Sequence, residues 1–324
     1  MVVLEECMIK LCLVTYTRKN EVYTTHLDEL ALELYHIYGN GFKVIIYCEE
    51  FFDLPKKPYH IQLIKYHGTK YKKLLHLFSV DQSEYFISID NDITPNTHDI
   101  KSFLEIMINE NYSIGWGKIN VSKYSNVWEL MVLIDKVLSH NIIRPTLWKL
   151  NTGISIPGQF FCLKRSIFDS KLLNTDTYLD DLAIGLYVSK YIDKRYISDK
   201  ILGSEAPNNT FMGLVLQRWR WGIGYSTLLL SIWDNSSYRR RLLIHGFAYH
   251  FLWIIIWFLC YIFFEINIIL GLIYLGVISF IISKPKNLVF YSFIYEIVFP
   301  IFHIVWGISV INTIIRGRKH NECL

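Results

Sequence analysis

No dense stripe of Lys and Arg interleaved with aromatic residues occurs in this sequence, and a formal net charge of +4 is too small to gather a polyanion. Nucleic acid is therefore not an expected partner. Cysteine is sparse: Cys7, Cys12, Cys48, Cys162, Cys260 and Cys323, none in a CxxC or metal-ligand spacing. Cys12 and Cys48 fall in apolar runs that read as buried strands, so free thiols in a reducing cytosol are expected. The eleven histidines include no HxxxH pair, which argues against a helical zinc site. GxSxG, a Walker-type lysine loop and GxGxxG are all missing, which leaves serine hydrolases, P-loop NTPases and dinucleotide enzymes without a motif. The first residues carry Glu5 and Glu6 beside only a short apolar run. That reads as neither signal peptide nor anchor, so membrane attachment is expected from the C-terminal end.

What the sequence has in excess is apolar surface. Hydrophobic residues make up 52% of it against 19% charged, and the mean hydropathy is +0.25. The bias is uneven. Residues 1–241 have the mix of a soluble α/β chain, whereas 242–315 are largely apolar. About twenty apolar residues span a bilayer. The run 242–283 is long enough for two spans that turn near Glu265-Ile266-Asn267, and 288–315 makes a third stretch with Glu296 and Pro300 inside it. Arg239, Arg240 and Arg241, and Lys284 and Lys286, are expected on the cytosolic side. The basic tail of Arg316, Arg318 and Lys319 favours the same side, so the third stretch either enters and returns at Pro300 or leaves the tail outside.

Upstream, short apolar runs alternate with helical patterns. Residues 8–15, 42–48, 61–66 and 85–90 read as strands; 21–38, 70–78 and 97–109 read as helices. This order predicts an α/β fold with a doubly wound, mostly parallel sheet, whose ligands bind at the carboxyl ends of the strands. The stretch from about 112 to 165 is less regular, 180–191 reads as a helix, and 195–199 as a strand. Residues 211–241, rich in Trp, Tyr, Leu and Arg, suit a helix lying in the membrane interface.

Three motifs carry chemistry. Asp90-Asn91-Asp92 follows the strand Tyr85-Phe86-Ile87-Ser88-Ile89. Two carboxylates at this spacing offer hard oxygen ligands to Mg²⁺ or Mn²⁺ while a diphosphate supplies others, or else form a polar turn that caps the next helix. Asp180-Asp181 precedes an apolar helix and is either a helix N-terminus favoured by the dipole or a general base. Gln217-Arg218-Trp219-Arg220-Trp221 reads QxxRW: the Arg fork suits phosphate oxygens and the Trp face suits a pyranose. Trp and Arg are also common interface anchors. Thr69-Lys70 and Lys72-Lys73 either reach a nucleotide phosphate or form a solvated helix face, and Glu49 and Glu50 sit where a carboxylate could meet a base or ribose.

The order of these motifs resembles that of the membrane-bound glycosyltransferases of family 2, the group of cellulose, chitin and hyaluronan synthases. The resemblance covers roughly residues 8–230. It implies a GT-A fold and an inverting transfer from a UDP-sugar. Asp90 and Asp92 would hold the diphosphate and its Mg²⁺ or Mn²⁺. Asp181, with Asp180 beside it, would be the base. Gln217, Arg220 and Trp221 would hold the diphosphate and the acceptor end. Residues 14–21 resemble the family's first nucleotide loop, 67–70 its Gly-Lys element, 204–207 its acidic-Pro loop, and 156–161 the lining of its acceptor path. The expected layout is a cytosolic nucleotide-sugar domain at 1–210, an interface segment at 211–241, a membrane region at 242–315 (about 242–264, 267–283 and 288–315) and a basic tail at 316–324. The partners implied are a UDP-sugar donor, a glycan or lipid acceptor and the lipid bilayer. Three outcomes remain open at this stage: polysaccharide synthesis, transfer of one sugar to a membrane lipid, and a non-catalytic nucleotide-sugar-binding or assembly protein.

Overall fold

The structure is a computed structural model that describes residues 9–17, 23, 25–167, 173, 176–282 and 288–321, the last five by their backbone alone. Residues 18–21 of the expected nucleotide loop and 284–287 of the expected break lie outside the described residues. The chain forms two compact units interleaved along the sequence. The first takes residues 1–120, 156–176 and 190–206; the second takes 121–155, 177–189 and 207–324.

The first unit is built on one eight-stranded sheet of order β3-β2-β1-β4-β7-β6-β8-β5. Its strands are β1 Leu11–Tyr16, β2 Phe42–Cys48, β3 His60–Lys65, β4 Tyr85–Ile89, β5 Ile93–Pro95, β6 Ile114–Val121, β7 Phe160–Lys164 and β8 Arg195–Glu205. Strands β3, β2, β1 and β4 are parallel. They alternate with helices α1 His26–Tyr38 and α2 Lys70–Val80, and α3 Thr97–Asn109 follows β5. Strands β1, β2 and β4 are almost wholly buried, which is why they read as unbroken apolar runs rather than alternating ones. Leu27, Leu30, Ala31 and Leu34 of α1 and Ile100, Phe103, Leu104 and Met107 of α3 bury their apolar stripes in the same core as Leu13, Val44 and Ile87. Beyond β4 the sheet continues antiparallel: β4 pairs with β7, β7 with β6, and β5 with β8. Two strands of that half, β6 and β7, lie in the region that reads as irregular from sequence. Their Gly115, Gly117 and Cys162 positions dilute the strand signal, and neighbouring strands supply the burial that fixes them. Strand β8 also runs on to Glu205, so Ser204 and Glu205 pair with Thr94 and Ile93 instead of forming a loop.

The second unit is helical: α4 Val127–Leu138, α5 Arg144–Lys149, α6 Asp180–Tyr191, α7 Phe211–Ser231, α8 Ser236–Gly246, α9 Leu252–Ile266, α10 Ile268–Ile282, α11 Val289–Val298 and α12 Pro300–Asn321. Residues up to Ser189 of α6 belong to it. π-helical turns at Ser139–Ile143 and Phe247–Phe251 join α4 to α5 and α8 to α9. Helices α7 and α12 approach closely: Ser309 Oγ donates to Trp219 O (2.8 Å), Ser226 Oγ donates to Val310 O (3.3 Å), and a Cβ built on Gly222 would stand 2.6 Å from Ser309 Cβ. Small residues on facing helices allow this contact. The expected turn near residue 266 is present, with Asn267 Oδ1 accepting from Ile269 N at 2.8 Å. Among the described residues two helices are long and apolar enough to cross a membrane, Ser236–Ile266 and Val289–Arg316, and Ile268–Ile282 is a shorter apolar helix. No residue of α9 is buried.

Candidate functional site

In the first unit the carboxyl ends of β1 and β4 meet the N-terminus of α2. Gly68, at φ +136°, turns the chain into that helix, where a side chain would be strained. Thr69 then caps it, its Oγ1 accepting from Lys72 N at 3.3 Å. The turn aims Lys70 at the end of β4. Its Nζ lies 2.7 Å from Asp90 Oδ1 and 2.5 Å from Gly158 O, 5.0 Å from the centre of the Tyr16 ring and 5.6 Å from that of Phe161. Tyr16 and Ser88 hydroxyls lie 3.2 Å apart. The ammonium is thus held by one carboxylate, one carbonyl and two aromatic faces.

Asp90 is fixed from both sides. Its N–H donates to Gln159 O (3.0 Å) and its C=O accepts from Ile93 N (3.1 Å). Asp90 is half-buried, Asn91 buried and Asp92 exposed. The antiparallel pair of Ile93 with Glu205 brings a third acid into the same neighbourhood, and Gln159 Nε2 donates to Glu205 Oε2 at 3.1 Å. Gln159 and Glu205 were legible in sequence only as parts of loops; their roles depend on sheet pairing. Nearby, Lys72 pairs with Asp176 (2.9 Å). Burial opposes ionisation of Asp176, but the Lys72 ammonium and Thr69 hydroxyl outweigh it and hold its pKa below the usual carboxylate value. Glu49 is half-buried in the bend after β2.

The donor set suits a hard divalent ion. Among the described residues no group of three or more His, Cys, Asp or Glu forms a cage by itself. Asp90 and Asp92 are two carboxylates on one turn, and Mg²⁺ commonly takes one or two carboxylates and completes its shell with phosphate oxygens and water. The structure brings Lys70 and Asp90 together, with Asp92 two residues on.

The second unit holds the other two motifs. Asp180 and Asp181 open α6, Asp180 buried and Asp181 half-buried, with Asp181 Oδ1 accepting from Leu182 N at 2.9 Å. Both readings of the acidic pair therefore coexist: the carboxylates favour the helix N-terminus and are positioned by it. A Cβ on Gly185 would stand 1.6 Å from Ile154 O, so the closeness of α6 to residue 154 requires glycine there. The residues ahead of the pair pack on α7: Thr177 Oγ1 donates to Gly224 O (3.2 Å), and a Cβ on Gly224 would lie 2.9 Å from Leu179. On α7, Gln217 and Trp221 are half-buried and Arg220 is exposed. Sequence reasoning missed Arg218. It is buried, ion-paired to Asp135 of α4 at 2.6 Å and set 4.2 Å from the Trp221 ring centre. Tyr295 donates to the other oxygen of Asp135 at 3.0 Å. Asp135 is four residues after Met131 on an apolar helix, and that acidic interruption was the available signal.

Against solved structures the chain superposes on a mannosyltransferase, PcManGT from Pyrobaculum calidifontis in complex with GDP-Man and Mn²⁺, with a TM-score of 0.52 at 10% identity over 93% of this chain and 87% of that one. The fold is the GT-A fold. S. aureus TarS also aligns, with a TM-score of 0.45 at 13% identity over 74% of this chain and 72% of that one. Glucosyl-3-phosphoglycerate synthase from Mycobacterium tuberculosis, in complex with Mn²⁺, UDP and glucosyl-3-phosphoglycerate, aligns with a TM-score of 0.47 at 13% identity over 69% and 80%. No protein-family model matches the chain, and no curated protein matches it in sequence. Within the GT-A sheet, Asp90 and Asp92 stand at the carboxyl end of β4, the strand next to β1 in the order above.

Proposed function

We propose that the chain is an inverting membrane glycosyltransferase that moves a sugar from a UDP-sugar to a growing polysaccharide. The observation that carries this reading is the strand-end Asp90, anchored through its backbone and ion-paired to Lys70, on a GT-A sheet. Asp90 and Asp92 would hold a divalent ion, Mg²⁺ or Mn²⁺, whose charge when bound offsets that of the leaving diphosphate. Lys70 neutralises Asp90 in the absence of nucleotide and is within reach of the same phosphates. Glu49 faces the base or ribose.

Asp181, with Asp180 beside it, takes the proton from an acceptor hydroxyl as that oxygen bonds to the anomeric carbon. The bond from that carbon to the UDP oxygen breaks, and the electron pair leaves with UDP. The transition state is oxocarbenium-like, and the configuration inverts. Gln217 and Arg220 hold the diphosphate, and Trp221 stacks on the acceptor sugar. The apolar helices Ser236–Ile266 and Val289–Arg316 attach the enzyme to the bilayer, with the catalytic residues cytosolic.

A second reading, transfer of one sugar to a membrane lipid, is favoured by a cavity among the apolar helices, described below. The deciding experiment supplies UDP-Glc, UDP-GlcNAc, UDP-GlcA and UDP-Gal to membranes carrying the protein and reads UDP release and product size. High polymer supports the polysaccharide reading, and a single organic-soluble product supports the lipid reading. Asp181→Asn abolishes UDP release in both; unchanged release in that variant overturns sugar transfer by this chain. Excess EDTA stops turnover, and turnover that persists removes the metal role of Asp90 and Asp92.

A further inference from the structure

The helical unit holds a partly open cavity of about 180 Å³. Its walls come from α9, α10, α11 and the start of α12 and are almost wholly apolar, with Ile256, Phe264, Leu275 and Phe299 among them. Of the polar liners, three spend polar atoms elsewhere. Tyr295 donates to Asp135 (3.0 Å), Trp253 Nε1 donates to Ala248 O (3.1 Å), and His303 Nδ1 lies 3.1 Å from His250 Nδ1. Glu296 does not. It is only 8% exposed, it lines the cavity, and its Oε1 accepts no hydrogen bond. The Ser279 hydroxyl adjoins this carboxyl and interacts with it, but neither Ser279 Oγ nor Glu296 Oε1 reaches full hydrogen-bond geometry with a partner.

A buried acceptor without a donor costs roughly 1–3 kcal/mol, so a site that keeps one is completed by a group that donates. The volume limits what that group is attached to. A drug-sized ligand needs roughly 300–1,000 Å³. This cavity instead takes one segment of an alkyl or isoprenyl chain. An ammonium head would bring a charge out of water, whereas a hydroxyl donates one hydrogen bond at far lower desolvation cost.

We infer that this cavity is a binding site for a hydroxyl-bearing lipid, whose chain fills the apolar space while its hydroxyl donates to Glu296. The inference rests on the geometry of the helical unit, and a negative sugar-transfer result leaves it standing.

The test is photolabelling of the full-length protein in detergent with hexadecanol carrying a diazirine and an alkyne, followed by peptide mapping. Labelling on α9 and α11 is expected to saturate. Unlabelled hexadecanol should compete at least tenfold better than hexadecane, palmitic acid or hexadecylamine. Glu296→Gln keeps an acceptor oxygen and should retain labelling within about threefold; Glu296→Leu should lose at least tenfold. Leu275→Phe, which fills the cavity and leaves Glu296 in place, should also lose labelling. Equal competition by hexadecane, stronger competition by hexadecylamine, or undiminished labelling of Glu296→Leu each overturns the inference. Variants are compared at matched gel-filtration profiles, and Glu296→Gln guards against a loss caused by misfolding alone.

Discussion

At the residue scale the most informative side chains are charged groups held out of water. Asp81, after α2, is 4% exposed; it pairs with Lys43 and its Oδ1 accepts from Ser83 N at 2.8 Å. Burial raises its pKa, but Lys43 and Ser83 outweigh burial and hold it below the usual value. A carboxylate whose pKa is lower in the folded state stabilises fully above its unfolded pKa of about 3.9 and loses that contribution as pH falls through the folded value. Asp81→Asn is therefore expected to cost about 1.5–3 kcal/mol at pH 7. The gap between variant and wild type in thermal unfolding should close as pH drops below about 4. A gap that stays constant down to pH 3 would remove the ion pair as its cause. Arg218 poses the sharper case, because it is 3% exposed. Asp135→Leu strands its charge and is expected to destabilise the protein by about 3–5 kcal/mol. Double replacement with Arg218→Met should recover much of that loss, and an additive result in the double-mutant cycle would refute the coupling. Lys70→Met is expected to raise KM for the sugar nucleotide at least tenfold with a smaller effect on kcat.

At the scale of elements, close approach decides which residues are permitted. Residue 185 must be glycine because the carbonyl of Ile154 occupies the place of any Cβ. Gly185→Ala is expected to displace the start of α6, where Asp180 and Asp181 sit, and to cost about 3 kcal/mol or more. It should lower soluble yield and UDP release together. Gly222 and Ser309 play the same part between α7 and α12. Gly222→Leu should separate those helices and increase protease cleavage near α12; unchanged proteolysis would argue against close packing as the role of Gly222.

For the molecule as a whole, the exposed apolar faces of α9 and α10 are far larger than soluble surfaces tolerate, with Phe258, Ile266, Ile268, Ile273 and Phe280 each more than half exposed. The protein should stay with membranes through alkaline carbonate and leave them only in detergent. Release by carbonate would rule out spanning helices in favour of peripheral attachment.

Much of this was already written in local pattern. Continuous apolar runs marked β1, β2 and β4, and 3.6-residue periodicity with a glycine stop marked α1, because both signals depend only on near neighbours in the chain. The DxD turn, the acidic pair opening α6 and the apolar C-terminal helices were legible for the same reason. Strands β6 and β7, the extension of β8 to Glu205, and the pairing of Lys70 with Asp90 and of Arg218 with Asp135 were not. The two ion pairs join residues 20 and 83 apart along the chain, and the strand pairings are likewise made between distant segments whose approach no local pattern encodes. The sequence alone determined which chemical groups are available and on which elements they ride, since backbone preference and hydropathy are local. Tertiary structure alone decided which charges are neutralised, which carboxyl is left facing an apolar cavity and where only glycine fits, since desolvation and close packing exist only once distant segments meet.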